Sequence, residues 1–144
     1  MRVLILYESK RGFTLTVARA LRDELRKLGT EATTAPLRSL DPGTLAVADA
    51  LVVGTWVTGM LLIGVGPAHG TLEAVDALPD LERRPTVVFC TCKLAPMSTL
   101  DTLTDRLDMR GADVRGRAVF KRRKSLRDVP GVAAGIIEAL QPTA

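Results

Sequence analysis

Blocks of unbroken apolar residues and blocks of helical periodicity take turns along this chain. RVLILY, Arg2–Tyr7, is the first apolar block, the pattern of a strand covered on both faces. TLTVARALRDELRKLG then places Val17, Leu21, Leu25 and Leu28 at helical spacing with charges between, and stops at Gly29, a normal helix terminator. TEATTAPL predicts a second, more polar strand. DPGTLAVAD predicts a short helical turn opened by Asp41 and Pro42, since proline suits the first helical position. ALVVGT predicts a third buried strand, followed by a helix over PAHGTLEAVDAL with Pro67 near its start. PTVVFCT is the fourth predicted strand, and STLDTLTDRLDMRGA a helix with Ser98 placed to cap it. VRGRAVF gives a fifth strand and VPGVAAGIIEAL a closing helix.

Five strands alternating with helices predict an α/β fold, a parallel sheet with helices on both faces. No linker, repeat or low-complexity segment interrupts the pattern, so residues 1–144 read as a single domain. Sheets of this kind bind ligands beyond the carboxyl ends of the strands, where the strand order reverses. Three stretches therefore matter most: ESKRGFT after the first strand, TWVTGMLLIGVG after the third and TCKLAPM after the fourth.

Composition narrows the function classes. A chain of 144 residues buries a real core, and with aromatics at 3% that core must be aliphatic. The most apolar segment, MLLIGVG, falls far short of the roughly 20 residues that cross a bilayer. MRVLILYESK turns polar too soon for a secretory signal, so the expected location is cytoplasmic. MLLIGVG itself reads as an interface, with a homodimer through Met60, Leu61, Leu62 and Ile63, or as a lid; plain core packing is the alternative. Cys90 and Cys92 form neither a CxxC motif nor half of a zinc site, and one histidine adds little. Sharing one strand face, they read as two reduced thiols.

The net charge of +4 is unevenly placed: Arg110–Arg127 holds eight Lys or Arg and a single Asp. Its densest part is Lys121, Arg122, Arg123 and Lys124. This cluster reads either as a solvated turn or as a site for an acidic partner or a phosphate. Nucleic-acid binding is not expected, because no recognition module and only one tryptophan are present.

ESKRGFT carries the sharpest signal. A helix start presents unpaired amides and the positive end of its dipole, which together attract an anion. Ser9 and Thr14 add hydroxyls, Lys10 and Arg11 add charge, and Gly12 lets the backbone turn closely. The alternative is a hydrophilic turn in which Thr14 caps the helix. There is no GxxxxGK[ST], no GxGxxG and no acid pair at the first strand end, so a Walker loop, the usual dinucleotide turn and a receiver domain are excluded.

YESKRGFT resembles the phosphate loop of the flavodoxins, with Ser9, Gly12 and Thr14 in matching places; it departs at Arg11 and Phe13, where that family usually has Thr and often Asn. VVGTWVTG is similar to the family's loop after strand three, and VVFCTCKLAP to the start of its second flavin loop. The resemblance implies a flavodoxin-like three-layer α/β/α sandwich, with a five-stranded parallel sheet in the order 2-1-3-4-5. It implies FMN as cofactor, with the phosphate near Ser9, Lys10, Arg11, Gly12, Phe13 and Thr14. The ring would lie between Thr55, Trp56, Val57, Thr58 and Gly59 on one side and Thr91, Cys92 and Lys93 on the other. The second loop lacks the Tyr that commonly covers the outer flavin face. The length suits the short-chain branch. The implied function is electron transfer with no catalytic residue of its own. The alternatives are a small FMN-dependent oxidoreductase reducing a quinone, and a binding module of this fold without cofactor. A redox partner, acidic by complementarity, would dock near Lys121–Lys124. The presumed ring loops hold Lys93 and no acid, so Coulomb attraction should favour reduced flavin.

Overall fold

In the computed structural model, residues 1–8, 12–60, 63–67, 70–92, 98–122 and 126–141 are described, with backbone alone for 58–60 and 63–67. The strands are β1 (Arg2–Tyr7), β2 (Glu31–Pro36), β3 (Ala50–Met60), β4 (Ile63–Pro67), β5 (Pro85–Cys92) and β6 (Asp113–Lys121). The helices are α1 (Phe13–Lys27), α2 (Pro42–Ala46), α3 (Thr71–Asp76), α4 (Thr99–Met109) and α5 (Val129–Leu140), with a 3₁₀ turn at Leu37–Ser39. The sheet order is β2-β1-β3-β5-β6, all parallel. Counting only those five strands along the chain, this is the expected 2-1-3-4-5.

Alternation along the strands builds the layers. Val3 and Ile5 of β1, Val52 of β3, and Val87 and Phe89 of β5 face α1 and α5, meeting Val17, Leu21, Leu25, Ala133 and Ile136. Leu4 and Leu6, Leu51 and Val53, and Val88 and Cys90 face the opposite way, onto Leu45 of α2, Val75 of α3 and Leu100, Leu103 and Leu107 of α4. Strands buried on both faces need apolar residues at every position, which is why RVLILY and ALVV read as unbroken runs. α1 spans 15 residues and buries one stripe, leaving its charges to solvent.

One element differs from expectation. The helix predicted from Pro67 does not begin there: the chain after Thr55 stays extended to Met60 and returns as β4. β4 pairs antiparallel to the outer part of β3, with Met60 opposite Ile63 and Val57 opposite Pro67, and α3 starts only at Thr71. Pro67 closes a strand rather than opening a helix. A proline is tolerated at such a strand end, where no inner ladder bond needs its missing N–H. Of the stretch Met60–Gly66, expected as an interface or lid, Met60 and Ile63 face each other across this strand pair; Leu61 and Leu62 lie outside the described residues.

Gly54 is required where β3 passes β5. It sits opposite Phe89 in register, and a Cβ there would meet the Phe89 ring at 2.0–2.4 Å. Phe89 in turn meets Phe120 edge to face, centroids 5.7 Å apart, a preferred aromatic geometry. Overpacking of this kind costs about 1–3 kcal/mol, so Gly54→Ala is expected to lower the unfolding free energy measured by denaturant titration by that much. Adding Phe89→Leu should restore part of the loss, because a smaller side chain vacates the ring's space. A Gly54→Ala variant as stable as wild type would refute the steric account.

Candidate functional site

The carboxyl edge of the sheet is built first by β1 and β3. The Glu8 amide donates to the Gly54 carbonyl at 2.9 Å, carrying the β1–β3 pairing one rung past Tyr7. The chain then enters α1 through Gly12, whose φ of 83° lies in the left-handed region. Glycine adopts that conformation without the penalty of about 1–2 kcal/mol that other residues meet. Gly12 occupies the N-cap position and no side chain caps the helix. Thr14, read from sequence as a possible cap, is instead the second helical residue. Thr16 ties the turn back by donating its hydroxyl to the Gly12 carbonyl at 2.8 Å. No acid stands in the first turn, so nothing there opposes the positive end of the helix dipole.

Two buried hydroxyl pairs lie just inside this edge, one on each face of the sheet. Thr14 Oγ1 is 2.8 Å from Thr91 Oγ1 at the end of β5, both residues being almost wholly buried. Thr55 Oγ1 is 3.0 Å from Thr71 Oγ1 at the start of α3, again fully buried. Thr55 therefore lies under the edge rather than on it. Sequence periodicity gives no hint of either pairing, since the partners are 77 and 16 residues apart.

Sequence reasoning also misses Arg38. From the turn after β2, its Nε donates to Glu8 Oε1 at 2.7 Å. Its guanidinium packs on the Gly70 backbone, where a Cβ would come within 2.3 Å. The hydrogen bond and charge of Glu8 raise the Arg38 pKa above its already high value. The consequence for the site is that the one carboxylate leading into the first loop is countered. A lone Arg between a proline-ended strand and a helix carries no periodic signal.

Phe13 packs against the core cluster shared by α1 and α5. Trp56 and Val57 are half-buried, with Trp56 opposite Thr91 across the β3–β5 pair. Thr58 and Gly59 continue β3 into the hairpin. Cys92 is buried at the end of β5, in register with Lys121. Ser9, Lys10, Arg11, Lys93, Arg123 and Lys124 fall outside the described residues. The basic stretch is divided. Lys121 and the exposed Arg122 sit at the carboxyl end of β6, while Arg115 pairs with Asp113 at 2.9 Å and Arg117 with Asp101 at 2.7 Å. Part of the run is thus neutralised locally, because Asp101 lies on a different element close by. Among the described residues no group of three His, Cys, Asp or Glu is placed to hold a metal, and no helix is long and apolar enough to cross a membrane.

No protein-family model and no curated protein matches the sequence. Solved structures do. A cysteine-to-serine mutant of flavodoxin from Pseudomonas aeruginosa matches with a TM-score of 0.77 and 23% identity, over 99% of this chain and all of the other. Oxidised flavodoxin 1 from Bacillus cereus matches at 0.72 and 18% identity, over 98% of this chain and all of that one. Rubredoxin oxygen:oxidoreductase from Desulfovibrio gigas matches at 0.73 and 19% identity, over 96% of this chain and 36% of its own. The fold is that of a flavodoxin. The sequence resemblance and the structural likeness agree on it.

Within this flavodoxin fold, both thiols are free and buried. Burial pushes the Cys90 thiol up from 9.0 to about 12, with Cys92 adding to the shift. Burial also raises Cys92, while the Lys121 ammonium pulls it partly back. Unfolding releases the Cys90 proton wherever pH lies between those two values, so its contribution to stability is complete below pH 9.0 and is lost as pH rises toward about 12. Cys90→Val is expected to flatten the alkaline decline of the unfolding free energy. In the native protein, Ellman's reagent at pH 8 should label neither thiol at the unfolded rate; rapid labelling of both would contradict the burial argument.

Proposed function

We propose that this chain binds flavin mononucleotide and serves as an electron carrier. The observation that carries the reading is the start of α1: a left-handed glycine N-cap, no capping side chain, no acid in the first turn, and a neighbouring carboxylate held by Arg38. A phosphate monoester suits each of these features. Among the described residues, a Cβ built on Gly12 would meet nothing within 4 Å, so the cost of a side chain there is its left-handed backbone. The phosphate would be held by the Gly12–Thr14 turn with Ser9, Lys10 and Arg11. The ring would be held against Trp56, flanked by Val57, Thr58 and Gly59 and by Cys92 and Lys93, while the buried Thr91 is turned inward to Thr14. When bound, FMN supplies one- and two-electron redox chemistry; the chain's part is to seat it and set its electrostatic surroundings. Likeness to flavodoxins and to rubredoxin oxygen:oxidoreductase supports the same reading.

Titration of purified apoprotein with FMN should quench flavin fluorescence saturably at one equivalent. Gly12→Ala should weaken binding about tenfold, the equivalent of the backbone strain a Cβ brings to a left-handed turn. Quenching that never saturates would remove the assignment.

Lys121 and Arg122, at the carboxyl end of β6, give the carrier a basic side, and the partner that fits it is an acidic redox protein. Oxidation of reduced holoprotein by anionic ferricyanide should therefore slow as ionic strength rises. Lys121→Glu with Arg122→Glu should flatten that dependence, and an unchanged salt slope would return the cluster to plain surface.

A further inference from the structure

The Thr14–Thr91 contact joins the first turn of α1 to the last residues of β5, and its chemistry is asymmetric. Two hydroxyls 2.8 Å apart share a single hydrogen bond. One proton is spent in it, and the other hydroxyl keeps a proton of its own. Thr14 and Thr91 are 1% and 3% exposed, and among the described residues the spare proton has no acceptor. A buried donor left unmade is costly, so an acceptor at this place would be well rewarded.

Which hydroxyl keeps the proton depends on what lies outside. With Thr91 donating, the free proton belongs to Thr14, on the same helical turn as the outward amides of α1. With Thr14 donating, the free proton belongs to Thr91 on the strand. An anion at the helix start selects the first arrangement, because only Thr14 shares the turn that faces it. Donation from Thr91 also polarises the Thr14 hydroxyl and fixes its rotamer, which strengthens the next bond in the chain.

We infer that Thr91 is a positioning residue for the phosphate seat: it donates to Thr14 and so commits the Thr14 hydroxyl to the phosphate monoester. This rests on the FMN reading above. It makes Thr91 act at a distance, through Thr14, on the phosphate end of the ligand rather than on the ring that its own loop was expected to hold. The specificity implied is for FMN over riboflavin, which has the same ring and no phosphate.

The test measures dissociation constants of FMN and riboflavin for wild type, Thr91→Val, Thr91→Ser, Thr14→Val and the double valine variant, with thermal unfolding of each as a check on folding. Thr91→Val is expected to lose FMN affinity about tenfold, the size of one hydrogen bond to a charged acceptor. Its riboflavin affinity should fall less than its FMN affinity, because riboflavin has no phosphate for the Thr14 hydroxyl to meet. Thr91→Ser keeps the hydroxyl and should restore FMN binding. The double variant should lose no more than Thr14→Val alone, because the two residues act in series. A wild type that binds FMN no better than riboflavin overturns the FMN reading, and this inference falls with it. A wild type that prefers FMN, with Thr91→Val retaining that preference or losing both ligands equally, overturns the inference alone, as would fully additive losses in the double variant.

Discussion

The parallel pairing of β1 with β3, from Val3 opposite Ala50 to Tyr7 opposite Gly54, is the constraint on which the remainder rests. The strand order reverses at this pair. The chain leaving β1 turns to α1 on one face, and the chain leaving β3 runs through its hairpin to α3 on the other. A crevice must open between them, because the two connections depart in opposite directions. Both faces of the pair are covered, so both strands are apolar throughout, and the pairing is fixed as much by the cores on either side as by its own hydrogen bonds. Gly54 shows how tightly the junction is drawn: it closes the last rung through the Glu8 amide and leaves room for Phe89 on the inner face.

Electrostatics at this edge follow from the same geometry. α1 brings the positive end of a 15-residue helix to the crevice, and β1 delivers Glu8 beside it. Left alone, that carboxylate would weaken any anion seat. Arg38 meets it from the turn after β2, the next strand outward, and fixes it against the backbone of Gly70. Three elements therefore converge to keep the site positive without a capping side chain. Farther along the sheet, Asp101 and Asp113 absorb Arg117 and Arg115, which leaves the basic character concentrated at Lys121 and Arg122.

Much of this was legible in the residues. Unbroken apolar runs and 3.6-residue periodicity locate the five parallel strands and the main helices, because burial on both faces and burial of one stripe leave different signatures. The hairpin is different. Two glycines and a proline in an apolar stretch satisfy a loop, a lid or a helix start equally well, and only pairing with β3 decides that Pro67 ends a strand. The site splits the same way. Gly12 and Thr14 are visible from their place between a strand and a helix, but Thr14 reads as a surface cap until β5 is brought beneath it. Thr91, Thr71 and Arg38 act through contacts distant in sequence, and such contacts leave no mark on local composition.

The central claim is that the amino end of α1 seats a phosphate group. The most direct measurement is an amide ¹H–¹⁵N spectrum of the apoprotein during addition of inorganic phosphate and then of FMN. Early, saturable shifts of Gly12, Phe13 and Thr14 with both ligands, joined by Trp56 only with FMN, are the predicted result. Perturbations confined to the basic end of β6, or absent from the Gly12–Thr14 turn, would contradict it.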